Sequence, residues 1–469
     1  MTATPTTSSG KRPHVVVLGG GFGGIAAVRK LKRADVDVTL IDRHTYNTFN
    51  PLLYQVATAS LNPGDITWFL RAIRAKQRNV RFLKGVVKTM DHEAKTLHLE
   101  SGVDVKYDYL VIAVGVTTNF FGVPGADEFS MPLYKRSQAL QVRDRMFANF
   151  EYAAINGQDR DLRIVVVGGG ATGVETAGAF AEMRNLDMPT TYPELDRNRI
   201  HITLVEMLPH VLGPFAPKLR DYASTSLLKR DVDLRLDTAV KEVREDGVLV
   251  EHDGEQEFLP AGIVVWASGI TAHPSVADWD VPQGRGGRIE TDEQRRVKGL
   301  DNVFAIGDVS IGPEELPQLA QPAIQGGKYV AKLIKADLKG KTVKPFKYLD
   351  KGTMATIGRS SAVAEIKFLP KLTGFPAWVI WVGLHIVTLL GNRNRFATLV
   401  NLSAKYLSVG SHNAIVGETP YVVADKPFVV DARQAPRAVS ARQARKNAES
   451  LASQGVEGIR QGAGTDDDK

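Results

Sequence analysis

The sequence GGGFGG at Gly19–Gly24 follows a run of apolar, β-branched residues, and GGGATG at Gly168–Gly173 repeats that arrangement about 150 residues later. Both have the spacing G-x-G-x-x-G, whose glycines permit a tight turn, close approach of backbone to a pyrophosphate, and close packing of helix on strand. The glycines concerned are Gly19, Gly21 and Gly24 in the first copy and Gly168, Gly170 and Gly173 in the second. Two copies predict a protein that holds two dinucleotides.

The residues around each copy supply the context that this motif requires. Upstream, His14–Leu18 and Arg163–Val167 are the nearly continuous apolar runs that a parallel sheet buries on both faces. Downstream, apolar residues recur at helical spacing: Ile25, Val28 and Leu31 in the first copy, Val174, Ala177 and Ala181 in the second. The fold class predicted is α/β with two Rossmann-like dinucleotide-binding domains. The alternative is a pair of glycine-rich turns that only connect strand to helix.

An acidic residue follows each fingerprint at a strand end, where a carboxylate can accept hydrogen bonds from ribose hydroxyls. Asp42 closes the run Val36–Ile41, 18 residues after Gly24, and Glu206 lies 33 residues after Gly173. We attribute the longer spacing to an inserted loop around Met188–Pro193. A carboxylate repels a 2'-phosphate, so the second site favours NAD(H) over NADP(H). The alternative is that Asp42 and Glu206 are solvated acids at strand ends and bind no ribose.

The chain of 469 residues contains no cysteine, which excludes disulfides, thiolate metal sites and every mechanism that passes electrons through a cysteine. No metal site is predicted. The net charge of +7 suits an anionic membrane or nucleic acid, or is a solvated basic surface. Because nothing beyond charge supports nucleic acid, no nucleic-acid partner is expected. Residues 1–11 lack the apolar core of a secretory signal.

The order of the motifs predicts that the second dinucleotide domain is inserted into the first. Asn302–Asp308 reads as a buried strand without a fingerprint of its own, so we expect it to rejoin the first domain. Thr353–Ala364 also reads as strand. The predicted divisions are a disordered tail at 1–11, the first dinucleotide-binding domain at 12–125 and 285–345, the second dinucleotide-binding domain at 155–280, a membrane-association and dimer region at 346–425, and a flexible tail at 430–469.

The most apolar stretch, Phe375–Leu390, is 16 residues long and falls short of the roughly 20 that span a bilayer. It contains Trp378 and Trp381 and is flanked by the cations Lys367, Lys371, Arg393 and Arg395. Tryptophans with flanking cations are typical of a helix lying in a membrane interface. A second apolar and basic stretch, Phe396–Leu407, could lie beside it. The alternative is a buried core or dimer helix.

The segment AQPAIQGG at Ala320–Gly327 reads as a helix start, since Pro322 suits a first turn. Gln321 and Gln325 are four residues apart, so their amides can line one face of the helix and donate hydrogen bonds to a ligand. An ordinary helix with two exposed glutamines is the alternative.

With these motifs in view, the chain resembles the type II NADH dehydrogenases, the single-subunit, non-pumping NADH:quinone oxidoreductases, over about residues 12–425. The narrowest motifs are FNPLLYQVAT at Phe49–Thr58, GGGATGVE at Gly168–Glu175, FAIGDV at Phe304–Val309 and AQPAIQGG at Ala320–Gly327. The tail after about residue 430 lies outside the family pattern.

The resemblance implies FAD in the first site and NADH in the second. It implies that Asp308 binds the ribityl or pyrophosphate region, and that Glu175 lies beside the nicotinamide and flavin, orienting the carboxamide or relaying a proton; helix capping is the alternative for Glu175. The other implied cofactor-binding positions, besides the fingerprint glycines and Asp308, are Phe22, Asp42, Arg43, Gln55, Val87, Gly115, Thr172, Glu206 and Gly269. The implied quinone-binding residues are Pro51, Leu52, Gln321, Ile324 and Gln325.

The function predicted is a peripheral membrane flavoenzyme that transfers hydride from NADH to FAD and then two electrons to a membrane quinone. It would act on the cytoplasmic side of the cell membrane, as a homodimer. The alternatives are an NADH-dependent reductase of a small electron-carrier protein and a low-turnover NADH-sensing flavoprotein.

Overall fold

A computed structural model describes residues 12–407, 425, 439–440 and 442–450. The tails predicted at 1–11 and over most of 430–469 lie outside the described residues, as does most of the end of the predicted 346–425 region; residues 442–450 are helical. The chain divides into two compact units. Unit 1 comprises Met1–Thr48, Thr67–Asn119 and Ile270–Lys351, and unit 2 comprises Phe49–Ile66, Phe120–Gly269 and Gly352–Lys469.

The first strands in chain order are β1 His14–Leu18, β2 Asp37–Asp42, β3 Tyr46–Thr48, β4 Thr67–Phe69, β5 Val80–Lys84, β6 Val87–Asp91, β7 Thr96–Leu99, β8 Asp104–Lys106, β9 Tyr109–Ile112, β10 Val116–Thr118, β11 Met131–Pro132, β12 Leu162–Val167 and β13 Ile200–Val205. The remaining strands are β14 Asp233–Arg235, β15 Thr238–Arg244, β16 Gly247–His252, β17 Glu255–Pro260, β18 Ile263–Trp266, β19 Ile270–Ala272, β20 Ile289–Glu290, β21 Val303–Ala305, β22 Ser310–Ile311, β23 Thr353–Thr356, β24 Ala362–Glu365 and β25 Leu372–Thr373.

The α-helices are α1 Phe22–Lys30, α2 Leu53–Ala57, α3 Ala126–Phe129, α4 Arg136–Asn156, α5 Ala171–Glu182, α6 Met188–Thr191, α7 Pro217–Leu228, α8 Ala320–Asp337, α9 Gly374–Thr388 and α10 Asn392–Leu407. A π-helical turn, Met183–Asp187, joins α5 to α6.

Unit 1 contains a parallel five-stranded sheet in the order β21-β9-β1-β2-β5. The central strand β1 is apolar and almost wholly buried, as a strand covered on both faces must be. Helices α1 and α8 pack on each other, where a Cβ on Gly327 would lie 2.2 Å from the Gly23 carbonyl oxygen. Strand β21 pairs with β9, so the chain returns to the sheet in which it began.

Unit 2 contains a second parallel sheet in the order β11-β18-β12-β13-β14 and an antiparallel sheet β15-β16-β17. Its C-terminal part adds the antiparallel sheet β23-β24-β25 and the helices α9 and α10. Helix α5 leaves β12 at the second glycine fingerprint and packs against β23.

Two local expectations were wrong. The segment around Met188–Pro193 is helical as far as Thr191, because the π-turn carries α5 onward and Pro189 sits in the first turn of α6, where a proline is tolerated. The run Thr353–Ala364 is two strands rather than one. Its turn at 357–361 contains Gly358, whose φ of +80° an extended strand does not allow.

Candidate active site and cofactor sites

The first fingerprint forms a closed turn with an open helix N-terminus. A Cβ on Gly24 would lie 1.8 Å from the Gly19 carbonyl oxygen, so glycine is required there, while a Cβ on Gly21 would meet nothing within 4 Å. Helix α1 begins at Phe22 with no side chain capping it. The helix N-terminus thus lies beside the open space at Gly21, an arrangement that fits the pyrophosphate of a dinucleotide such as FAD.

The second fingerprint repeats this geometry in unit 2. A Cβ on Gly173 would lie 1.8 Å from the Gly168 carbonyl oxygen, and Gly170 again faces open space. Helix α5 starts at Ala171 without a side-chain cap, and Thr172 in its first turn is exposed. The second site has the same capacity to hold a pyrophosphate.

The two strand-end acids take matching positions. Asp42 accepts hydrogen bonds from the backbone N–H groups of Gly20 and His44, both at 2.6 Å. Glu206 accepts from the N–H groups of Gly169 at 2.5 Å and Leu208 at 2.8 Å. Each carboxylate is thus fixed beside its own glycine turn, where ribose hydroxyls would lie. Burial raises the pKa of Asp42 above its ordinary value.

Asp308 lies in the short 3-10 turn Gly307–Val309 that follows β21. Burial raises the pKa of its carboxyl to about 6, although the Arg288 guanidinium acts in the opposite direction. A small pocket, also lined by Gln318 and Pro322, adjoins it. A desolvated carboxylate of this kind suits hydroxyl donors such as those of a ribityl chain.

The other residues implied by the resemblance are distributed over both units. Gly115 follows β9 and Gly269 follows β18, both with left-handed backbone conformations. The Arg43 guanidinium lies 3.2 Å from His273 Nε2 in unit 1, and Val87 is buried at the start of β6. In unit 2 the buried Gln55 amide donates to the Tyr54 hydroxyl, while its Oε1 has no hydrogen-bond partner among the described residues. An orphaned buried oxygen fits an additional donor such as a ring N–H of a bound cofactor.

The two glutamines of α8 differ in their contacts. The Gln325 amide is held by the backbone of Leu349, donating to its carbonyl at 2.9 Å and accepting from its N–H at 3.0 Å. Gln321 is half-buried at the start of the helix, and no described residue holds its amide by a comparable pair of hydrogen bonds. Both residues lie on the same face of α8, as expected from their spacing, but Gln321 is the amide that no described residue holds and that can donate to a ligand. Of the other implied quinone residues, Ile324 lies in α8, Pro51 is half-buried and Leu52 is fully buried.

Glu175 is the most unusual acid in unit 2. It is the fifth residue of α5, beyond the first turn, and it does not cap the helix. Its carboxylate accepts a hydrogen bond from the backbone N–H of Thr356 at 3.2 Å and another from the indole of Trp381. Burial nevertheless raises its pKa to about 8. The carboxyl group therefore carries a proton at neutral pH.

The surroundings of Glu175 complete a buried polar cluster that sequence reasoning did not assemble. The Tyr54 hydroxyl is 2.9 Å from Thr356 Oγ1, and its ring is 6.3 Å from that of Trp381. Burial and the nearby Glu175 raise the tyrosine pKa. The His385 ring stacks on Trp381 at 3.9 Å, and burial lowers the pKa of this imidazole to about 4, so the histidine is neutral. Tyr54 lies within the FNPLLYQVAT motif, but no sequence signal marked Thr356.

The C-terminal helices contain a broad apolar face, but Trp381 does not belong to it. Trp381 is only 1% exposed, and Trp378 packs against Tyr406 inside unit 2. The exposed apolar side chains are instead Phe375, Val379, Ile380, Leu384 and Val387 of α9 and Phe396, Leu399 and Val400 of α10. Trp381 is therefore too buried for the membrane contact that we expected of both tryptophans, whereas Trp378 is partly buried and its ring stacks on the exposed Phe375. In the described part of the chain, no helix is long and apolar enough to cross a bilayer.

Two glycine-turn sites, each with an oriented acid, in separate parallel sheets define the class of two-domain pyridine-nucleotide oxidoreductases. Residues 13–327 match the family model of pyridine nucleotide-disulphide oxidoreductases. In this chain the complete lack of cysteine removes the disulfide chemistry in that name.

Comparison with individual proteins narrows the class. The chain is 38% identical over 407 residues to the type II NADH:quinone oxidoreductase NdhA of Mycobacterium tuberculosis, covering 83% of this chain and 86% of that protein. It is 32% identical to the type II NADH:quinone oxidoreductase of Staphylococcus aureus, covering 76% and 90%. Its fold matches NDH2 of Plasmodium falciparum, solved in complex with NADH, with a TM-score of 0.79 and 22% identity over 84% of this chain and 99% of that one. The chain belongs to the family of type II NADH:quinone oxidoreductases, as the motifs predicted.

Proposed function

We propose that the protein oxidises NADH and reduces a quinone, with FAD held at the first glycine fingerprint and NADH at the second. FAD, when bound, supplies the redox chemistry, accepting hydride from NADH and returning two electrons to the quinone. Family membership supports this activity, and so do the two matching dinucleotide sites. The chain has no cysteine with which to carry electrons itself.

The observation that carries the proposal is the position of Glu175, which is buried in unit 2 and accepts hydrogen bonds from Thr356 and Trp381. Conversion of NADH, a proton and a quinone to NAD⁺ and a quinol consumes one proton beyond the hydride. A carboxyl group whose pKa is about 8 holds a proton at neutral pH and can release it, since its pKa lies near the working pH. We assign Glu175 as the group that holds this proton. The hydrogen bonds from Thr356 and Trp381 stabilise the carboxylate that remains after transfer.

Gln321 is the second residue that we assign to quinone reduction. A quinone carbonyl needs a donor, and a neutral amide provides one without burying a charge. Stopped-flow measurement of each half-reaction tests this assignment. Gln321→Ala should leave flavin bleaching by NADH nearly unchanged while slowing reoxidation by quinone several-fold. Equal losses in both halves, or none in either, contradict the assignment.

We further propose that the apolar face of α9 and α10 rests on the cytoplasmic surface of the cell membrane. The exposed cations Lys367, Lys371 and Arg393 flank this face, and neither helix contains an acidic residue. That combination suits an anionic lipid surface, where quinones are dissolved. A reductase of a small carrier protein has no use for such a face, so comparison of NADH oxidation rates with quinones and with carrier proteins separates the two functions. The homodimer implied by the resemblance is tested by sedimentation of the detergent-solubilised protein.

A further inference from the structure

Thr356, whose N–H donates to Glu175, is followed by a turn that packs against the helix carrying Glu175. Thr356 ends β23, and the turn at 357–361 closes with a hydrogen bond from Ile357 N–H to the Ser361 carbonyl at 2.8 Å. On α5, Gly178 lies three residues after Glu175 and hence on the same face of the helix. The hydrogen bond to Glu175 and the contact with the turn are therefore neighbours.

The contact at Gly178 is between backbone and backbone. A Cβ built on Gly178 would lie 3.0 Å from Gly358 N and 3.0 Å from the Ile357 carbonyl carbon. Neither atom belongs to a side chain that could rotate away. A side chain at position 178 therefore requires the backbone of the turn or of α5 to give by a few tenths of an ångström, next to the N–H of Thr356.

The turn is also held from its other side, by the end of α7. Arg230 Nη2 donates to the Arg359 carbonyl at 3.2 Å, and the Tyr222 hydroxyl lies 3.2 Å from Ser361 Oγ. A Cβ on Gly358 would lie 3.0 Å from Arg230 Nε and 3.2 Å from the Gly178 carbonyl oxygen. The turn is thus confined between α5 and Arg230, and the N–H of Thr356, the residue just before the turn, donates to Glu175.

We propose that Gly178 is a positioning residue for quinone reduction, because its missing side chain lets the 357–361 turn lie against α5 and fix the Thr356 N–H on the Glu175 carboxylate. The consequence for the reaction rests on the proton-holding role of Glu175 proposed above. The claim that Gly178 positions the hydrogen bond from Thr356 N–H to Glu175 does not rest on that role.

The sign of the effect follows from the chemistry of the bond. An N–H that donates to a carboxylate stabilises the ionised form and lowers its pKa, opposing the effect of burial. Displacing the turn weakens this bond, so the pKa of Glu175 should rise. The other ionisable groups around Glu175 are Tyr54 on α2, His385 on α9, and Glu182 on α5 with its partner Lys405 on α10. Gly178→Ala changes none of these charges, whereas replacing Arg230 would remove a cation that interacts with Glu182.

The test is an infrared titration of the flavin-loaded enzyme without quinone. The protonated-carboxyl band absent from Glu175→Gln identifies Glu175. In Gly178→Ala its midpoint should move upward by about half a pH unit to one unit, part of the shift expected for complete loss of a hydrogen bond to a charged group. Gly358→Ala alters the same contact from the side of the turn and should shift the midpoint in the same direction. The control is Gly64→Ala, an exposed site in unit 2 whose Cβ would meet nothing within 4 Å, and it should titrate as wild type.

The outcomes separate the inference from the proposed function. A wild-type midpoint in both Gly178→Ala and Gly358→Ala overturns the inference, even if thermal stability falls, because a purely structural contact would lower stability alone. If the midpoint moves and the pH profile of flavin reoxidation by quinone moves with it, both proposals are supported. If the midpoint moves while that profile stays fixed, Gly178 positions the Thr356 donor but Glu175 does not hold the reacting proton.

Discussion

The ammonium group of Lys405 lies 3.4 Å from Glu182 Oε1, and this ion pair ties α10 to α5 in the interior of unit 2. The Lys405 side chain is 12% exposed and that of Glu182 only 7%. Lys405 also donates to Ser60 Oγ at 2.5 Å. A lysine at the end of an apolar surface helix thus anchors that helix through a buried charge.

Lys405→Met should destabilise unit 2, because it leaves the Glu182 carboxylate buried without its main partner. We expect a loss of about 3 kcal/mol, the low end for a broken buried pair, since Arg230 also lies near Glu182. Urea denaturation measures it. The exposed Lys367→Met should change the free energy of unfolding by less than about 0.5 kcal/mol. The double variant Glu182→Gln with Lys405→Met should recover much of the loss, and failure to recover any would show that the pair is not the cause.

Quinone reduction should depend on pH through Glu175. Below about pH 8 the group is protonated, and above it the carboxylate has no proton to supply. The rate of flavin reoxidation by quinone should therefore fall as pH rises through about 8. The rate of flavin reduction by NADH should show no such fall. Stopped-flow rates between pH 6 and 10 measure both. In Glu175→Gln this fall in rate near pH 8 should disappear, and reoxidation should be slow at every pH. If the fall is unchanged in the variant, a group other than Glu175 causes it.

The same group should make stability depend on pH. Because the folded-state pKa of Glu175 is raised above that of the unfolded chain, folding takes up a proton, and this contribution to stability is fully present below the unfolded pKa of about 4.5. It is lost as pH rises toward 8. Glu175→Gln, which resembles the protonated form at every pH, should match wild type near pH 5 and unfold at a higher temperature than wild type near pH 9. Calorimetry at both pH values checks this, and an equal difference at both would contradict it.

The two strand-end acids should affect different nucleotides. Glu206→Gln should raise the KM for NADH about ten-fold to a hundred-fold and narrow the preference over NADPH, because hydrogen bonds to a charged group are worth about 1.5 to 3 kcal/mol. Asp42→Asn is the matched change in the other sheet. It should weaken retention of FAD while leaving the KM for NADH nearly unchanged in protein saturated with flavin. If Asp42→Asn instead raises the KM for NADH and Glu206→Gln weakens retention of FAD, NADH binds at the first fingerprint and FAD at the second.

Membrane binding should depend on the exposed aliphatic residues of α9 and not on its tryptophans. Replacing Val379, Leu384 and Val387 by serine removes roughly 1 to 2 kcal/mol of apolar burial for each residue. The triple variant should no longer cosediment with anionic liposomes, and it should reduce lipophilic quinones poorly while still reducing water-soluble acceptors. Serine at the exposed Val103 in unit 1 is the control and should leave cosedimentation intact. Binding of the triple variant at wild-type levels would remove this face from the proposed membrane contact.

The elements closest to the glycine turns followed directly from the sequence. Strand β1, the turn at Gly19–Gly24 and helix α1 are specified by local patterns, and so is the return of β21 to the first sheet. The Glu175 cluster was not predictable, because Thr356 and Trp381 lie about 180 and 200 residues farther along the chain. Contacts over such separations leave no periodic signal.

The side-chain orientations on α9 were also beyond sequence reasoning. An almost unbroken apolar stretch has no polar face to indicate which side points inward, so nothing showed that Trp381 is buried while Phe375 and Val387 are exposed. One side of this helix lies at the surface and the other side lies in the core.

The two sides of α9 limit how its length can vary. One turn of the helix directs Trp381 at Glu175, and the opposite side presents Val379 and Val387 to the outside. An α-helix rotates by about 100° per residue, so inserting or deleting a single residue before Trp381 would turn the indole outward and bring a different side chain to the buried acid. Variation in chain length near the C-terminus should therefore be tolerated in the bend at 389–391, or ahead of β25 at 366–371, and not within the helix itself.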